Sequence, residues 1–95
     1  DLCDAYVVSD STIGFYFLRE LSRRGVRVPE EVQVIGFDDS VLAAAADPAM
    51  TVVEIDVTNL GKSAARLLIA QLQAEDLCPG QNLLPARIIH RASTK

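Results

Sequence analysis

Val32-Gln33-Val34-Ile35-Gly36-Phe37-Asp38-Asp39 decides the fold. Up to Phe37 this is an almost continuous apolar run, the pattern of a parallel strand covered on both faces of a sheet, and it stops abruptly at two acids. Working back, Ala5 to Val8 is a second short run with β-branched and aromatic residues. It ends in Ser9, Asp10 and Ser11, any of which can cap a helix through a side-chain oxygen. Between the runs, Ile13, Phe17, Leu18 and Leu21 recur at helical spacing within Ile13 to Arg24, and Gly25 is placed to stop that helix. Strand, helix, strand with these lengths predicts parallel pairing through a right-handed crossover.

Working forward, Asp39 or Ser40 can cap a short alanine-rich helix through Ala46, closed by Asp47 and Pro48. Thr51 to Ile55 reads as a third strand. Leu60, Ala64, Leu67, Leu68 and Leu72 form the one-sided stripe of an amphipathic helix from about Thr58 to Ala74. Glu75 to Gln81 reads as a loop, and Ala86 to Arg91 as a last strand before a polar Ser-Thr-Lys end. The expected fold class is α/β, a parallel sheet with flanking helices.

At 95 residues and 49% hydrophobic content the chain can bury a core, and one domain or a piece of one is expected. A formal charge of -4 leaves no excess of Lys and Arg to neutralise phosphates, so direct contact with DNA is not expected. Cys3 and Cys78 share no metal-type spacing, and His90 is the only histidine, too few soft ligands for a zinc site. No apolar run approaches the ~20 residues of a membrane span. The opening Asp1-Leu2-Cys3-Asp4 lacks the basic start of a signal peptide, so a cytoplasmic setting without a membrane partner is expected.

Asp10 and Asp38 each directly follow an apolar strand, and ligands of open α/β sheets bind outside the carboxyl ends of the strands. A carboxylate accepts hydrogen bonds from several hydroxyls at once, which suits a sugar or another polyhydroxylated ligand. For Asp10 a helix cap is the first reading and ligand contact the second. For Asp38 the order reverses, because Asp39 and Ser40 already supply candidate caps.

Asp38 with Asp39 also has the look of a magnesium-holding pair. Phosphoryl chemistry wants a cation at the reacting oxygens, however, and the only lysines are Lys62, on the polar side of a helix, and Lys95, at the terminus. Ser9, Ser11 and Thr12 lack the G-x-S-x-G surroundings of a nucleophile elbow, His90 has no evident orienting acid, and no G-x-G-x-x-G occurs. No catalytic residue, metal or cofactor is expected, which points to a binding module rather than an enzyme.

Phe15 and Tyr16 project to the side shared by Arg19, Ser22 and Arg23, where two large aromatics suit a subunit contact. Cover by another part of the same chain is the alternative. Leu42 with the alanine stretch Ala43 to Ala46, Ala45 and Ala46 included, can extend such a contact.

The stretch Gly25-Val26-Arg27-Val28-Pro29-Glu30-Glu31-Val32-Gln33-Val34-Ile35-Gly36-Phe37-Asp38-Asp39 resembles the G-x-x-V-P-x-D-x-x-V-x-G-F-D-D signature of the lactose-repressor/galactose-repressor family. Asp47-Pro48-Ala49-Met50-Thr51-Val52-Val53 is similar to that family's P-x-L-T-T-V segment. Leu84-Pro85-Ala86-Arg87-Ile88-Ile89-His90-Arg91-Ala92-Ser93-Thr94 is close to its L-P-x-x-L-I-x-R-x-S-T ending. The resemblance implies that residues 1–95 are the C-terminal part of an effector-binding and dimerisation domain related to periplasmic sugar-binding proteins. The DNA-reading helix-turn-helix and the first half of the sensor are then absent from this chain.

The partners implied are a small-molecule effector, a sugar, a second copy of the chain, and operator DNA through the absent N-terminal domain. A transport-type sugar-binding protein of the same fold is the alternative. The resemblance carries effector contact to Asp38 and Asp10, and dimerisation to the helix after the first strand and the small helix after Gly-Phe-Asp-Asp. The family's polar position beyond the T-T-V run is Ile55 here, whose side chain supplies no hydrogen bond. In relatives the long helix belongs to the other subdomain. Its stripe is therefore expected to pack on a neighbouring chain or to fold back on the sheet.

Overall fold

The computed structural model describes residues 2–74, 80 and 82–95. The expected loop from Glu75 to Gln81, with Cys78, lies outside them except for Gly80. The chain divides into two compact units, Asp1–Glu54 with Arg87–Lys95, and Ile55–Ala86.

In the first unit, β1 (Ala5–Val7), β2 (Gln33–Phe37) and β3 (Thr51–Ile55) run parallel, and the sheet order is β1-β2-β3-β4, with β4 at Ala86–Ile89. Tyr6 lies opposite Val34, and Gly36 opposite Val52. Parallel neighbours need crossovers, and these are α1 (Ser11–Arg23) and the short α2 (Val41–Ala45). Every strand and helix expected from the sequence is present. The last strand ends two residues early, at Ile89, because the chain from Arg91 onward is tied to the starts of β2 and β3 instead.

The ends of α1 follow from local chemistry. Asp10 is the N-cap, its Oδ1 accepting from the Ile13 N–H at 2.8 Å. At the other end Gly25 takes φ +74°, Gly25 N–H donates to Ser22 C=O, and Val26 N–H donates to Leu21 C=O, each at 3.0 Å. That pair is the Schellman motif, which satisfies carbonyls the helix leaves open. Glu20, bonded by Arg24 and Arg23 in the last turns, has its carboxyl held below the ordinary range, chiefly by the Arg24 hydrogen bond.

The buried face of α1 is Ser11, Gly14, Leu18 and Leu21, a helical 3-4-3 spacing. The expected face holds at Leu18, Leu21 and the half-buried Phe17 but is turned off Ile13, which keeps 51% exposure. Gly14 explains the turn, because without a side chain it lets the helix close on the Met50 thioether. A Cβ on Gly14 would sit 2.4 Å from Met50 Sδ, and one on Gly36 would sit 2.8 Å from Met50 Cε. Met50 fills this gap at the centre of a core of Leu18, Leu21, Val32, Val34, Ala43, Ala46 and Val52.

β2 alternates more than its sequence suggests. Val34 and Gly36 are fully covered, whereas Gln33, Ile35 and Phe37 are half-buried, so full cover on both faces is not seen. The polar C-terminal end is not a solvated tail. Ser93 is buried, its hydroxyl donating to Val34 C=O at 2.5 Å and accepting from Thr51 N–H at 2.8 Å. Val34 N–H donates to Ser93 C=O at 3.1 Å, and Ser93 N–H to Ala49 C=O at 2.9 Å.

In the second unit, α3 (Val57–Leu72) is capped by Asp56, whose Oδ1 accepts from Asn59 N–H at 3.0 Å. Its covered line is Ser63, Leu67 and Ala70. Leu60, Leu68 and Leu72 keep 49%, 57% and 77% exposure, so the described residues leave much of the apolar stripe uncovered.

Candidate functional site

The first two strands deliver two short turns to one edge of the sheet. β1 leads through Val8, whose N–H donates to Ile35 C=O at 2.9 Å, into Ser9-Asp10-Ser11. β2 leads into Asp38-Asp39-Ser40. The turns are joined by Ser11, 3% exposed, whose hydroxyl donates to Phe37 C=O at 3.0 Å and makes a closer contact with Asp38 C=O. The sequence offers Ser11 as a possible cap and as a nucleophile without the surroundings of one; its partners lie 26 and 27 residues away, beyond any local pattern.

Asp38 is exposed, at φ +71°, and its N–H donates to Val53 C=O at 3.0 Å. Asp and Asn tolerate this left-handed region better than most residues, yet it remains uncommon without glycine. Its carboxylate accepts no hydrogen bond among the described residues and caps no helix. Asp10 is different, since Oδ1 is committed to Ile13 and only Oδ2 is left for a ligand. The cap reading of Asp10 is therefore what the structure holds, and any ligand role must share the side chain with it.

Asp39 is not the cap of α2. Ser40 occupies the N-cap position, without a capping side-chain bond, while Asp39 Oδ1 accepts from Arg91 Nη2 at 2.6 Å. Arg91 also donates through Nη1 to Met50 C=O at 3.1 Å. With Asp39 drawn onto a guanidinium, Asp38 and Asp39 do not present a pair of free carboxylates to a magnesium ion. Among the described residues no group of three or more His, Cys, Asp or Glu gathers to hold a metal. His90 lies at the surface, with Nε2 3.2 Å from Lys95 C=O, and Cys3 is exposed and unpaired.

The expected contact residues divide. Phe15 is half-buried and rests on the core, which supplies part of its cover, while its ring meets Tyr16 edge-on at 5.5 Å. Tyr16 is 57% exposed, with the Arg19 guanidinium 5.5 Å from its ring centre. Leu42 is half-buried and Ala45 exposed, but Ala46 is 7% exposed and belongs to the core. Ala46 adds little to any outer surface because α2, only five residues long, turns that side toward Met50 and Val52.

A parallel α/β layer with an unengaged carboxylate at the carboxyl end of a strand places that carboxylate where open α/β sheets bind their ligands. The chain belongs to the periplasmic binding protein-like domain family, which residues 2–94 match. Its relatives are transcription regulators of the lactose-repressor/galactose-repressor type. The HTH-type transcriptional regulator CelR of Thermobifida fusca is 37% identical over 90 residues, 95% of this chain and 26% of CelR. Among solved structures, a CelR–cellobiose complex superposes with a TM-score of 0.84 at 37% identity, covering 95% of this chain and 28% of that one. A lac repressor dimer bound to operator and the anti-inducer ONPF gives 0.87 at 25% identity, covering 96% and 32%. The chain thus spans about a quarter of CelR and a third of the lac repressor.

Proposed function

We propose that this chain is the C-terminal part of the effector-sensing and dimerisation domain of a lactose-repressor-type transcription regulator whose effector is a sugar. The observation that carries the reading is Asp38: an exposed carboxylate at the carboxyl end of a parallel strand, free of intrachain bonds among the described residues. It can accept hydrogen bonds from two neighbouring hydroxyls, orienting a sugar as well as holding it. Asp10 Oδ2 offers a second acceptor from the adjoining turn. The CelR–cellobiose complex, at 37% identity, supports a sugar as the ligand class.

The role is binding: among the described residues no nucleophile with an orienting base accompanies these acids, and Asp39 is held by Arg91. Binding energy then acts by population shift: the effector favours one arrangement of the intact regulator over another, and a ligand with equal affinity for both would change nothing. Two copies meet through the exposed side of α1 around Tyr16 and Arg19, with Phe15, Leu42 and Ala45 beside them. Operator DNA is read by a domain outside this chain, in the cytoplasm.

The test is thermal unfolding of the full-length protein with cellobiose, galactose or ribose. A true effector at about 100 times its Kd stabilises by about 2.7 kcal/mol and raises the melting midpoint by several degrees. Asp38→Ala is expected to abolish that rise. A rise of equal size in Asp38→Ala refutes the assignment of Asp38.

A further inference from the structure

The backbone that carries Asp38 stands in the left-handed region, at φ +71°, which is uncommon outside glycine even though Asp tolerates it better than most. Such a residue persists only where its surroundings over-determine it, and ligand clamps are where such residues collect. Three contacts do so here. The Asp38 N–H is held by Val53 C=O at 3.0 Å. Asp39 is held by Arg91 at 2.6 Å. The Phe37 and Asp38 carbonyls are held by the Ser11 hydroxyl.

Ser11 is the contact that comes from a helix, and it is not needed for that helix. Asp10 already caps α1, so the Ser11 hydroxyl is left to bridge across 26 and 27 residues to the end of β2. One hydroxyl has one proton, shared between two acceptors, and both carbonyl oxygens lie on the Ser11 side of the chain where Asp38 leaves the sheet. We infer that Ser11 is a positioning residue: its hydroxyl holds the Phe37–Asp38 backbone so that the Asp38 carboxylate points at the effector. The same contact joins that turn to the first turn of α1, the helix that bears Tyr16 and Arg19. This inference rests on the sensor reading of Asp38.

The experiment compares Ser11→Ala, Ser11→Thr and Ser11→Cys in the full-length protein, with binding of cellobiose, galactose and ribose followed by calorimetry below the melting range of every variant. For a sugar that binds the parent, Ser11→Ala is expected to weaken Kd about tenfold, and Ser11→Thr, which keeps the hydroxyl, to stay within about threefold. Ser11→Cys, close in size but a weaker donor, falls between them and serves in place of Ser11→Ala should that variant not fold. Affinity within about twofold of the parent in Ser11→Ala, or equal losses in Ala and Thr, overturns the inference.

A sugar-independent arm separates this from the sensor reading. Asp38→Gly relieves the left-handed strain and is expected to raise the melting midpoint of the parent, but less so in the Ser11→Ala or Ser11→Cys background, where the clamp is already loosened. An equal gain in both backgrounds overturns the role of Ser11 even if none of the three sugars binds. Absence of sugar binding with an unequal gain counts against the sensor reading alone.

Discussion

Met50 shows how one side chain can set the position of a helix. Its thioether lies against the bare Cα positions of Gly14 on α1 and Gly36 on β2, and it is fully buried. Removing it leaves a void, and truncating a buried methionine to alanine typically costs about 2–5 kcal/mol. Adding a methyl at Gly14 forces overpacking of about 1–3 kcal/mol, against which helix propensity returns about 1 kcal/mol. The two changes are complementary, since a Cβ at Gly14 would occupy space that Met50 Sδ vacates. The double variant Gly14→Ala with Met50→Ala is therefore expected to be more stable than the sum of the single effects allows, by about 0.5–3 kcal/mol. Urea unfolding of the four proteins measures this coupling, and strict additivity would mean that the two residues do not share the gap.

At the scale of elements, the start of α1 is where structure and binding compete for one carboxylate. Asp10→Ala removes the cap and is expected to cost about 0.5–2 kcal/mol, whereas Asp10→Asn keeps a capping oxygen and costs little. If Asp10 also serves the effector, Asn should lower sugar affinity while leaving the melting midpoint nearly unchanged. Equal affinity in Asn and the parent would confine Asp10 to capping. Much of this edge was legible beforehand because its signals are local: an apolar run ending in acids marks the end of β2, and a polar Ser-Asp-Ser marks the start of α1. What stayed hidden depends on partners far along the chain. Ser93 looks like part of a solvated end, yet its hydroxyl bonds residues 42 and 59 positions away. Arg91 and Asp39, 52 residues apart, remove a cap that adjacency alone would assign. On α1 the spacing marks Leu18, Leu21 and the half-buried Phe17 but also the exposed Ile13, since a periodicity count gives no weight to Gly14, whose value lies in what approaches it.

At the scale of the molecule, the two units differ in how well they cover themselves. The first has a buried core around Met50 and a C-terminal segment bonded into it through Ser93, Thr51 and Arg91. The second is organised around α3, where Leu60, Leu68 and Leu72 stay at least 49% exposed. A soluble protein seldom leaves a continuous apolar stripe in water, because each leucine removed from solvent contributes about 1.5–3 kcal/mol. CelR, of which this chain covers 26%, and the lac repressor, of which it covers 32%, are both longer than this chain. The isolated 95-residue chain can cover the part of the stripe that the described residues leave exposed with other copies of itself. It is expected to associate as its concentration rises, and replacing Leu68 and Leu72 with glutamate should suppress that association while the circular dichroism of the helix is retained. Sedimentation across a concentration series reads the outcome, and a helix-intact monomer at every concentration, with both leucines in place, would show that the exposed stripe does not drive assembly.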